Sequence, residues 1–413
     1  MTEPRLEVAD VFREYGAAYL DAFGDIATTE QRRVLRDLTR CRTAELGGHV
    51  EECDHCGHRQ IAYNSCRNRH CPKCQATVRA AWLEREASYL LATEYFHVVF
   101  TLPDAIGPIA LQNPRVIYGT LFRAAAETLL QIAADPKHLG ADIGFLSVLH
   151  TWGQNLHLHP HVHCVVSGGG ISPDGTRWVA CRPGFFLPVR VLSRLFRGKF
   201  LAFLQEHYRR GRLACHGQLA ELADPVTFGH WLERLRQPEW VVYAKPPFGN
   251  GPEQVLKYLA RYTHRVAISN QRLLAMEDGK VSFQWKDYAD GNQAKTMKLD
   301  VVEFIRRFLL HVVPSGFVRI RHYGFLANRH REAKLQHCRQ LLTFAPVPFG
   351  EATAAEPKQT DFEPSAATPD WQRCRSCGQG RMIWVEAIAR PSRATEPRTA
   401  EGLDATTRIW DSS

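Results

Sequence analysis

The sequence predicts an α+β protein in which an antiparallel sheet is flanked by helices and joined to a small N-terminal zinc-binding domain. Helix-like and strand-like segments interleave irregularly, which favours an antiparallel sheet over regular βαβ units. The dipeptide Asp278-Gly279 between two strand-like runs is a strong signal for a β-hairpin. Six of the twelve cysteines fall between Cys41 and Cys74, which is typical of a compact metal-binding module.

The individual elements follow from apolar spacing and from their boundary residues. A β-branched and aromatic run stopped by Pro103 predicts the first strand of the central body, and Asn113-Pro114 marks the start of a long helix. The strand that begins at 157 is expected to end at the glycines 168–170. In order, we predict helices over about 8–23, 29–38, 75–91, 114–134, 191–206 and 301–311, and strands over about 95–103, 145–152, 157–166, 240–244, 272–276, 280–285 and 317–323, with a short strand near Trp178.

Composition and charge exclude several classes of protein. The chain has 413 residues, enough for two or three domains at roughly 150 residues each, and its 45% apolar and 23% charged content excludes wholesale disorder. No run of about 20 apolar residues is uninterrupted and no signal peptide is evident, so we expect a soluble, cytoplasmic protein without a membrane partner. The net charge of +9 is compatible with a polyanionic partner such as nucleic acid.

Three regions of the chain differ in composition. Residues 1–92 contain the N-terminal helices and the cysteine-rich module, and residues 93–343 form a long body with mixed elements. Residues 344–413 are predicted to be a flexible linker and a tail with a further CxxC pair, because 345–370 is rich in Pro, Ala, Thr and Glu and poor in large apolar residues.

The cysteine pairs predict a structural zinc site. Cys53-x-x-Cys56 and Cys71-x-x-Cys74 are separated by fourteen residues, so one folded-back segment can place four thiolates around one Zn²⁺. Four further potential ligands lie nearby and could build a second site, or Cys66 could replace one of the main four: Cys41, His49, Cys66 and His70. The terminal pair Cys374-x-x-Cys377 is half a site, with His337, Cys338 or another chain as possible partners, or a pair of unliganded thiols.

A run of alternating histidines predicts a second kind of metal site. His157, His159, His161 and His163 share one face if the segment is a strand, and four imidazoles on one face are poor core material unless some bind a metal. Zn²⁺, Mn²⁺ or Mg²⁺ could bind there, and an open coordination position could polarise a phosphodiester. The alternative is a polar strand face in contact with water.

A basic helix with two tyrosines follows in the second half of the body. Tyr258 and Tyr262 are four residues apart and therefore share one helical face, beside a stripe of Lys257, Arg261 and Arg265. Aromatic and basic residues in this arrangement suit single-stranded nucleic acid, whereas two core-facing tyrosines with solvated bases would look the same. Beside a metal site, a tyrosine can also act as a nucleophile.

These motifs together resemble the two-tyrosine His-hydrophobic-His (HUH) endonucleases, and in particular the rolling-circle transposases of the IS91 family. The similarity covers about residues 30–340 and several motifs in the expected order. The segments that carry it are Asn64-Ser-Cys-Arg-Asn-Arg-His-Cys-Pro-Lys-Cys-Gln75 within Cys53–Cys74, Trp152-Gly-Gln154, His159-Pro-His-Val-His-Cys164, Gly168-Gly-Gly170, Tyr258–Asn270 and Arg319-Ile-Arg-His-Tyr-Gly-Phe325.

The resemblance implies a bacterial, nucleoid-associated DNA transposase with an antiparallel-sheet HUH core. Such an enzyme nicks one strand at the end of its insertion sequence, leaving a 5′-phosphotyrosine and a free 3′-OH. Tyr258 and Tyr262 would be the nucleophiles, and His161 and His163 would hold Mg²⁺ or Mn²⁺. The third metal ligand is expected to be Gln154, with His159 as the alternative.

The same resemblance identifies the partners. They are single-stranded DNA at the transposon ends and target DNA, and Arg319 and Arg321 on one strand face could follow a DNA backbone, although a solvated face explains them equally well. No helicase-type GxxxxGK[ST] loop is present, so strand separation would come from a host helicase or the replication machinery.

Two other functions remain open from the sequence. The chain could be a non-catalytic zinc-dependent DNA-binding protein, either a regulator or an inactivated transposase, whose DNA binding would not depend on the tyrosines. It could also be a metal hydrolase in which the histidines activate water, which would leave products with a free 5′-phosphate.

Overall fold

The computed structural model describes residues 6–184, 186–248, 254, 255, 258, 266–287, 290–344 and 372–391. The chain divides into two compact units. The larger unit comprises Met1–Arg40 and Cys66–Asp361, and the smaller unit comprises Cys41–Ser65 and Phe362–Ser413. The smaller unit therefore joins residues from the N-terminal cysteine-rich module to residues from the C-terminal part of the chain. The predicted linker over 345–370 lies outside the described residues, as does the tail from residue 392.

Nine helices and twelve strands lie within the described residues. The helices are α1 (Val8–Phe23), α2 (Thr29–Thr39), α3 (Pro72–Ala87), α4 (Gly107–Gln112), α5 (Pro114–Ala134), α6 (Val189–Arg209), α7 (Pro225–Arg236), α8 (Val301–Leu309) and α9 (Arg331–Phe344). The strands are β1 (Gly48–Cys53), β2 (Arg59–Tyr63), β3 (Tyr95–Thr101), β4 (Asp142–Trp152), β5 (Leu158–Ile171), β6 (Trp178–Ala180), β7 (Val242–Ala244), β8 (Leu273–Glu277), β9 (Lys280–Asp287), β10 (Gln293–Asp300), β11 (Ile320–Gly324) and β12 (Met382–Ile388).

The larger unit is built on a six-stranded antiparallel sheet, which confirms the predicted α+β class. Its strands follow the order β11-β4-β5-β3-β7, and β6 pairs with β5. Successive side chains of the central strand β5 point to opposite faces of the sheet. Val162, Cys164 and Val166 point into the main hydrophobic core, where α5 and α6 also bury their apolar residues. The opposite face of β5 carries the histidines.

Strand β5 runs through the three glycines at which it was predicted to end. A Cβ added at Gly170 would lie 2.4 Å from the backbone oxygen of Asp142, and one at Gly168 would lie 2.8 Å from the backbone oxygen of Glu94. The glycines therefore allow close approach of neighbouring backbones within the sheet rather than ending the strand.

The remaining predicted elements of the larger unit are present with small shifts in their boundaries. Thr28 and Gln31 form a capping box at the start of α2, and Phe12 of α1 packs edge-on against Phe308 of α8 at 5.2 Å between ring centroids. The predicted hairpin is formed by β8 and β9, and both Asp278 and Gly279 at its turn have positive φ. Helices α4, α7 and α9 and strand β10 were not predicted.

The smaller unit contains a three-stranded antiparallel sheet with the order β12-β1-β2. These strands were not predicted. Strand β1 is fully buried only at its two ends and β2 is largely exposed, so neither has a clear apolar face. Strand β1 pairs with β2 from Gly48↔Tyr63 to Glu52↔Arg59, and on its other edge it pairs with β12. Among the described residues, no helix has both the length and the apolar content that a membrane span requires.

Candidate active site

Three histidines converge on one face of the central sheet. His150 on β4 lies directly opposite His161 on β5, and His163 follows two residues later on the same face. One ligand nitrogen from each of the three lies within 4.8 Å of the others. The Nε2 atoms of His161 and His163 are 3.0 Å apart. We call these residues the three-histidine group, and their geometry suits one divalent ion.

The protonation of the three-histidine group favours metal binding. Nδ1 of His161 donates a hydrogen bond to the backbone oxygen of His159 at 2.6 Å, which leaves Nε2 free of its proton and available as a ligand. Burial lowers the pKa of His161 to about 4, so this imidazole is neutral at pH 7. His150 and His163 are only 4% and 8% exposed. Neutral imidazoles in a buried position are suitable metal ligands.

The other residues of the predicted metal site lie outside the three-histidine group. His157 precedes β5, and its Nε2 is 3.0 Å from an Arg307 guanidinium nitrogen. His159 is half-buried, with Nδ1 3.8 Å from an Asp104 carboxylate oxygen. Gln154 follows β4, and its backbone oxygen accepts a hydrogen bond from Arg272. Gln154 and His159 as the third metal ligand stay predictions. The sheet register instead places His150 beside His161 and His163.

Tyr258 lies against the three-histidine group. Gln254, Val255 and Tyr258 are helical, and the rest of the predicted tyrosine helix lies outside the described residues. The Tyr258 hydroxyl lies 2.5 Å from Nε2 of His97 and 3.3 Å from Nδ1 of His163. Its ring also packs against Phe248 at 4.8 Å between centroids. A phenol is therefore held beside one of the candidate metal ligands.

His97, which was not predicted from the sequence, connects Tyr258 to His163. It lies on β3, on the same sheet face as the three-histidine group, and its Nε2 is 2.8 Å from Nδ1 of His163. Burial, reinforced by the charge of Lys245, lowers the pKa of His97 to about 3. The ring is therefore neutral at pH 7. Its Nε2 lies within hydrogen-bond distance of both the Tyr258 hydroxyl and Nδ1 of His163, and its tautomer sets which group donates.

Of the five predicted DNA-binding residues, the structure describes two, Arg319 and Arg321. Tyr262, Lys257, Arg261 and Arg265 lie outside the described residues. The Arg321 guanidinium lies over the rings of Phe122 and Phe317, at 4.2 and 5.3 Å from their centroids. Burial lowers the pKa of Arg319 to about 10. Arg321 therefore has a packing role, and a role of both arginines in DNA binding stays a prediction.

The cysteines form groups that differ from the one predicted. In the larger unit, Cys66, Cys71 and Cys74 bring their sulfurs within 4.8 Å of one another. In the smaller unit, the sulfurs of Cys53, Cys56, Cys374 and Cys377 converge in the same way. The prediction that the first two CxxC pairs share one ion is therefore wrong. A CxxC pair supplies only two ligands, and the sequence does not show which distant cysteines supply the others.

Two solved structures share low similarity with the chain. The metal-bound complex of conjugative relaxase TrwC with oriT DNA matches with a TM-score of 0.23 and 15% identity, covering 42% of this chain and 74% of that chain. The metal-free TrwC complex with oriT DNA also has a TM-score of 0.23 and 15% identity, and the match covers 60% of this chain and 70% of that chain.

Sequence comparison identifies the family. Family models described as "Transposase zinc-binding domain" and "Putative transposase" match residues 11–102 and 144–334. The chain is 56% identical over 407 residues to "Putative transposase y4qJ" of Sinorhizobium fredii (strain NBRC 101917 / NGR234), covering 98% of each. It is 29% identical over 394 residues to "Transposase for insertion sequence element IS801" of Pseudomonas savastanoi pv. phaseolicola, covering 90% of this chain and 87% of that relative. The chain belongs to the IS91 family of transposases, and its cysteine-rich region binds Zn²⁺.

Proposed function

We propose that this transposase is a metal-dependent single-strand DNA endonuclease and strand transferase that acts through a 5′-phosphotyrosine intermediate. The observation that carries the proposal is the Tyr258 hydroxyl, held 3.3 Å from Nδ1 of His163 within a buried histidine cluster. A tyrosine with a pKa near 10 is a weak nucleophile unless its target is activated, and a metal site beside it supplies that activation.

The three-histidine group is the metal site in this proposal, with His150 in place of Gln154 as the third ligand. A divalent ion held by His150, His161 and His163 would polarise the scissile phosphate. No Asp or Glu in the described part of the chain joins the group. Because imidazole suits borderline metals better than Mg²⁺, we expect Mn²⁺ to support activity better than Mg²⁺.

The tyrosines carry out the bond exchange. Oη of Tyr258 attacks the phosphorus, the bond to the 3′ oxygen breaks, Oη loses its proton and the released 3′ oxygen gains one. One phosphodiester replaces another, so the step is close to neutral in energy and can be reversed for joining. Tyr262 would hold or cut the second strand, while Lys257, Arg261 and Arg265 would contact DNA phosphates. Host helicase or replication proteins would supply the single strand.

His97 has a positioning role in this mechanism. It holds the Tyr258 hydroxyl and orients the His163 ring through the hydrogen bond to Nδ1, as outer-shell partners of metal ligands do. We expect His97→Ala to lower both Mn²⁺ affinity and the rate of adduct formation by about 10- to 100-fold. His97→Gln, which keeps a polar group of similar reach, should recover part of both.

The His97 prediction has two readouts that separate positioning from a general loss of structure. Mn²⁺ affinity is measured by electron paramagnetic resonance without DNA, and adduct formation is measured in a single turnover. The exposed His138→Ala is the matched control, because this side chain lies in a surface turn away from the histidine cluster. Unchanged Mn²⁺ affinity in His97→Ala would contradict the orienting role.

The larger unit also contains a zinc ligand set in this proposal. Cys66, Cys71 and Cys74 supply three thiolates, with the sulfurs of Cys66 and Cys74 3.6 Å apart. Structural zinc takes four ligands, so one further ligand would complete this set.

The test of the proposed function uses single-stranded oligonucleotides from both flanks of the gene, incubated with the full chain and Mn²⁺ or Mg²⁺. A 3′-labelled strand should become attached to the protein and resist denaturing electrophoresis. The matching 5′-labelled fragment should end in a 3′-OH that a polymerase can extend. Cleavage that leaves a free 5′-phosphate and no adduct would instead identify a hydrolase. Binding of every oligonucleotide without cleavage would identify a non-catalytic DNA-binding protein.

A further inference from the structure

Two CxxC pairs of the smaller unit have the same local structure, although they come from opposite ends of the chain. The first is Cys53-Asp-His-Cys56-Gly57 and the second is Cys374-Arg-Ser-Cys377-Gly378. Both glycines have positive φ, at 68° and 69°. The Gly57 N–H donates to the Cys53 oxygen at 3.0 Å, and the Gly378 N–H donates to the Cys374 oxygen at 2.9 Å. Each pair is therefore folded as a tight zinc-knuckle turn.

The sulfurs of the two knuckles face one another at metal-binding distances. Cys53 Sγ is 3.7 Å from Cys377 Sγ, and Cys56 Sγ is 3.8 Å from Cys374 Sγ. A tetrahedral ion with Zn–S bonds of about 2.3 Å requires sulfurs about 3.8 Å apart, whereas a disulfide requires about 2.05 Å. Backbone N–H groups of His55 and Gly380 donate to Cys53 Sγ and Cys377 Sγ at 3.5 and 3.4 Å.

The backbone around the knuckles fits the same arrangement. The pairing of β1 with β12 runs up to Cys53↔Met382, which brings the C-terminal knuckle to the end of β1. The Arg381 N–H donates to an Asp54 carboxylate oxygen at 2.7 Å, and the Cys374 N–H donates to the Gly380 oxygen at 2.8 Å. A Cβ at Gly380 would lie 2.4 Å from Cys53 Sγ, so only glycine leaves room for the sulfur there.

We infer that Cys53, Cys56, Cys374 and Cys377 bind one Zn²⁺ that fastens the C-terminal segment to the N-terminal strands. This ion is separate from the one bound through Cys66, Cys71 and Cys74, so the full chain binds two. Cys374 and Cys377 lie outside the zinc-binding family match over 11–102, and they make the segment 372–391 a required part of the zinc-binding structure. The inference is independent of the nuclease chemistry.

The first experiment counts zinc in the full chain by plasma mass spectrometry after exhaustive dialysis. Wild type should contain about two Zn²⁺ per chain, because two sets of thiolates are present. The double variant Cys374→Ser Cys377→Ser should contain about one, as should Cys66→Ser Cys74→Ser. The matched control Cys215→Ser removes a half-buried thiol outside both groups and should keep two. Two zinc ions in the Cys374→Ser Cys377→Ser variant would overturn the inference.

A second experiment needs no variant and therefore does not depend on whether a variant folds. The native wild-type chain is alkylated before and after addition of a chelator, and each cysteine is scored by mass spectrometry. Cys56 is exposed, so burial does not protect it, whereas a zinc bond does. Cys53, Cys56, Cys374 and Cys377 should be protected together and become reactive together. Rapid alkylation of Cys374 and Cys377 in the zinc-loaded chain would overturn the inference.

Discussion

Replacing both tyrosines, in Tyr258→Phe Tyr262→Phe, should abolish the covalent DNA adduct and lower the rate of cleavage by at least about 10³-fold. Phenylalanine keeps the ring that packs against Phe248 but lacks the oxygen that attacks phosphorus. Any remaining cleavage would use water and would leave a free 5′-phosphate. The measurement is single-turnover cleavage of a 3′-labelled strand, followed by denaturing electrophoresis.

The two single variants show whether Tyr258 or Tyr262 forms the covalent adduct with DNA. In Tyr262→Phe, the nucleotide should be found on the peptide that contains Tyr258, because that hydroxyl is held beside His163. The control is Tyr243→Phe on β7, an exposed tyrosine at 51% accessibility that should retain wild-type adduct formation. If the double variant still formed the adduct at the wild-type rate, neither residue would be the nucleophile. Loss of metal binding in the double variant would indicate a different, structural role for Tyr258.

Elements with a strong local signal could be predicted from the sequence. Apolar spacing gives α1, the turn residues Asp278-Gly279 give the β8–β9 hairpin, and the alternating histidines place two candidate ligands on one face of β5. Each of these features depends on residues that are close in the chain. Hydrophobic periodicity and turn chemistry are local properties, so they are readable without knowledge of the fold.

The remaining residues of the candidate metal sites could not be predicted, because only strand pairing brings them close to the predicted ones. His150 and His97 are single histidines in otherwise apolar strands, and nothing in their spacing distinguishes them from core residues. Their position beside β5 follows from the register His150↔His161 and His97↔Val165. Cys374 is likewise 318 residues from the Cys56 sulfur that it faces. Long-range pairing of this kind has no local signal in one sequence.

Arg319, just before β11, and Arg321, within it, show a related limit of prediction from sequence. Period-two spacing predicts that Arg319 and Arg321 share a strand face, but it does not show what covers that face. In the structure, Phe122 of α5 and Phe317, just before β11, lie beneath the Arg321 guanidinium. A cation over aromatic rings contributes to packing and is less available to a phosphate. A role of Arg321 in DNA binding therefore stays a prediction.

Replacing the third histidine, in His150→Ala, should weaken Mn²⁺ binding by at least about 100-fold and lower cleavage by a similar factor at limiting Mn²⁺. Removal of one of three imidazoles leaves two ligands, which hold a divalent ion poorly. Cleavage should recover in part when Mn²⁺ is raised to saturation. Mn²⁺ affinity is measured by electron paramagnetic resonance without DNA, and thermal unfolding shows whether the buried substitution disturbs the fold.

The matched variant Gln154→Ala tests which residue is the third metal ligand. The sequence motif predicts Gln154, whereas the strand register places His150 beside the other two histidines. If His150 binds the metal, Gln154→Ala should change Mn²⁺ affinity by less than about threefold, because the metal ligands are unchanged and the backbone oxygen that accepts from Arg272 is kept. If Gln154→Ala loses the metal and His150→Ala retains it, the sequence-based assignment is right. The buried His150 would then be a packing residue that lies opposite His161 through strand pairing alone. The two variants therefore give opposite results under the two assignments.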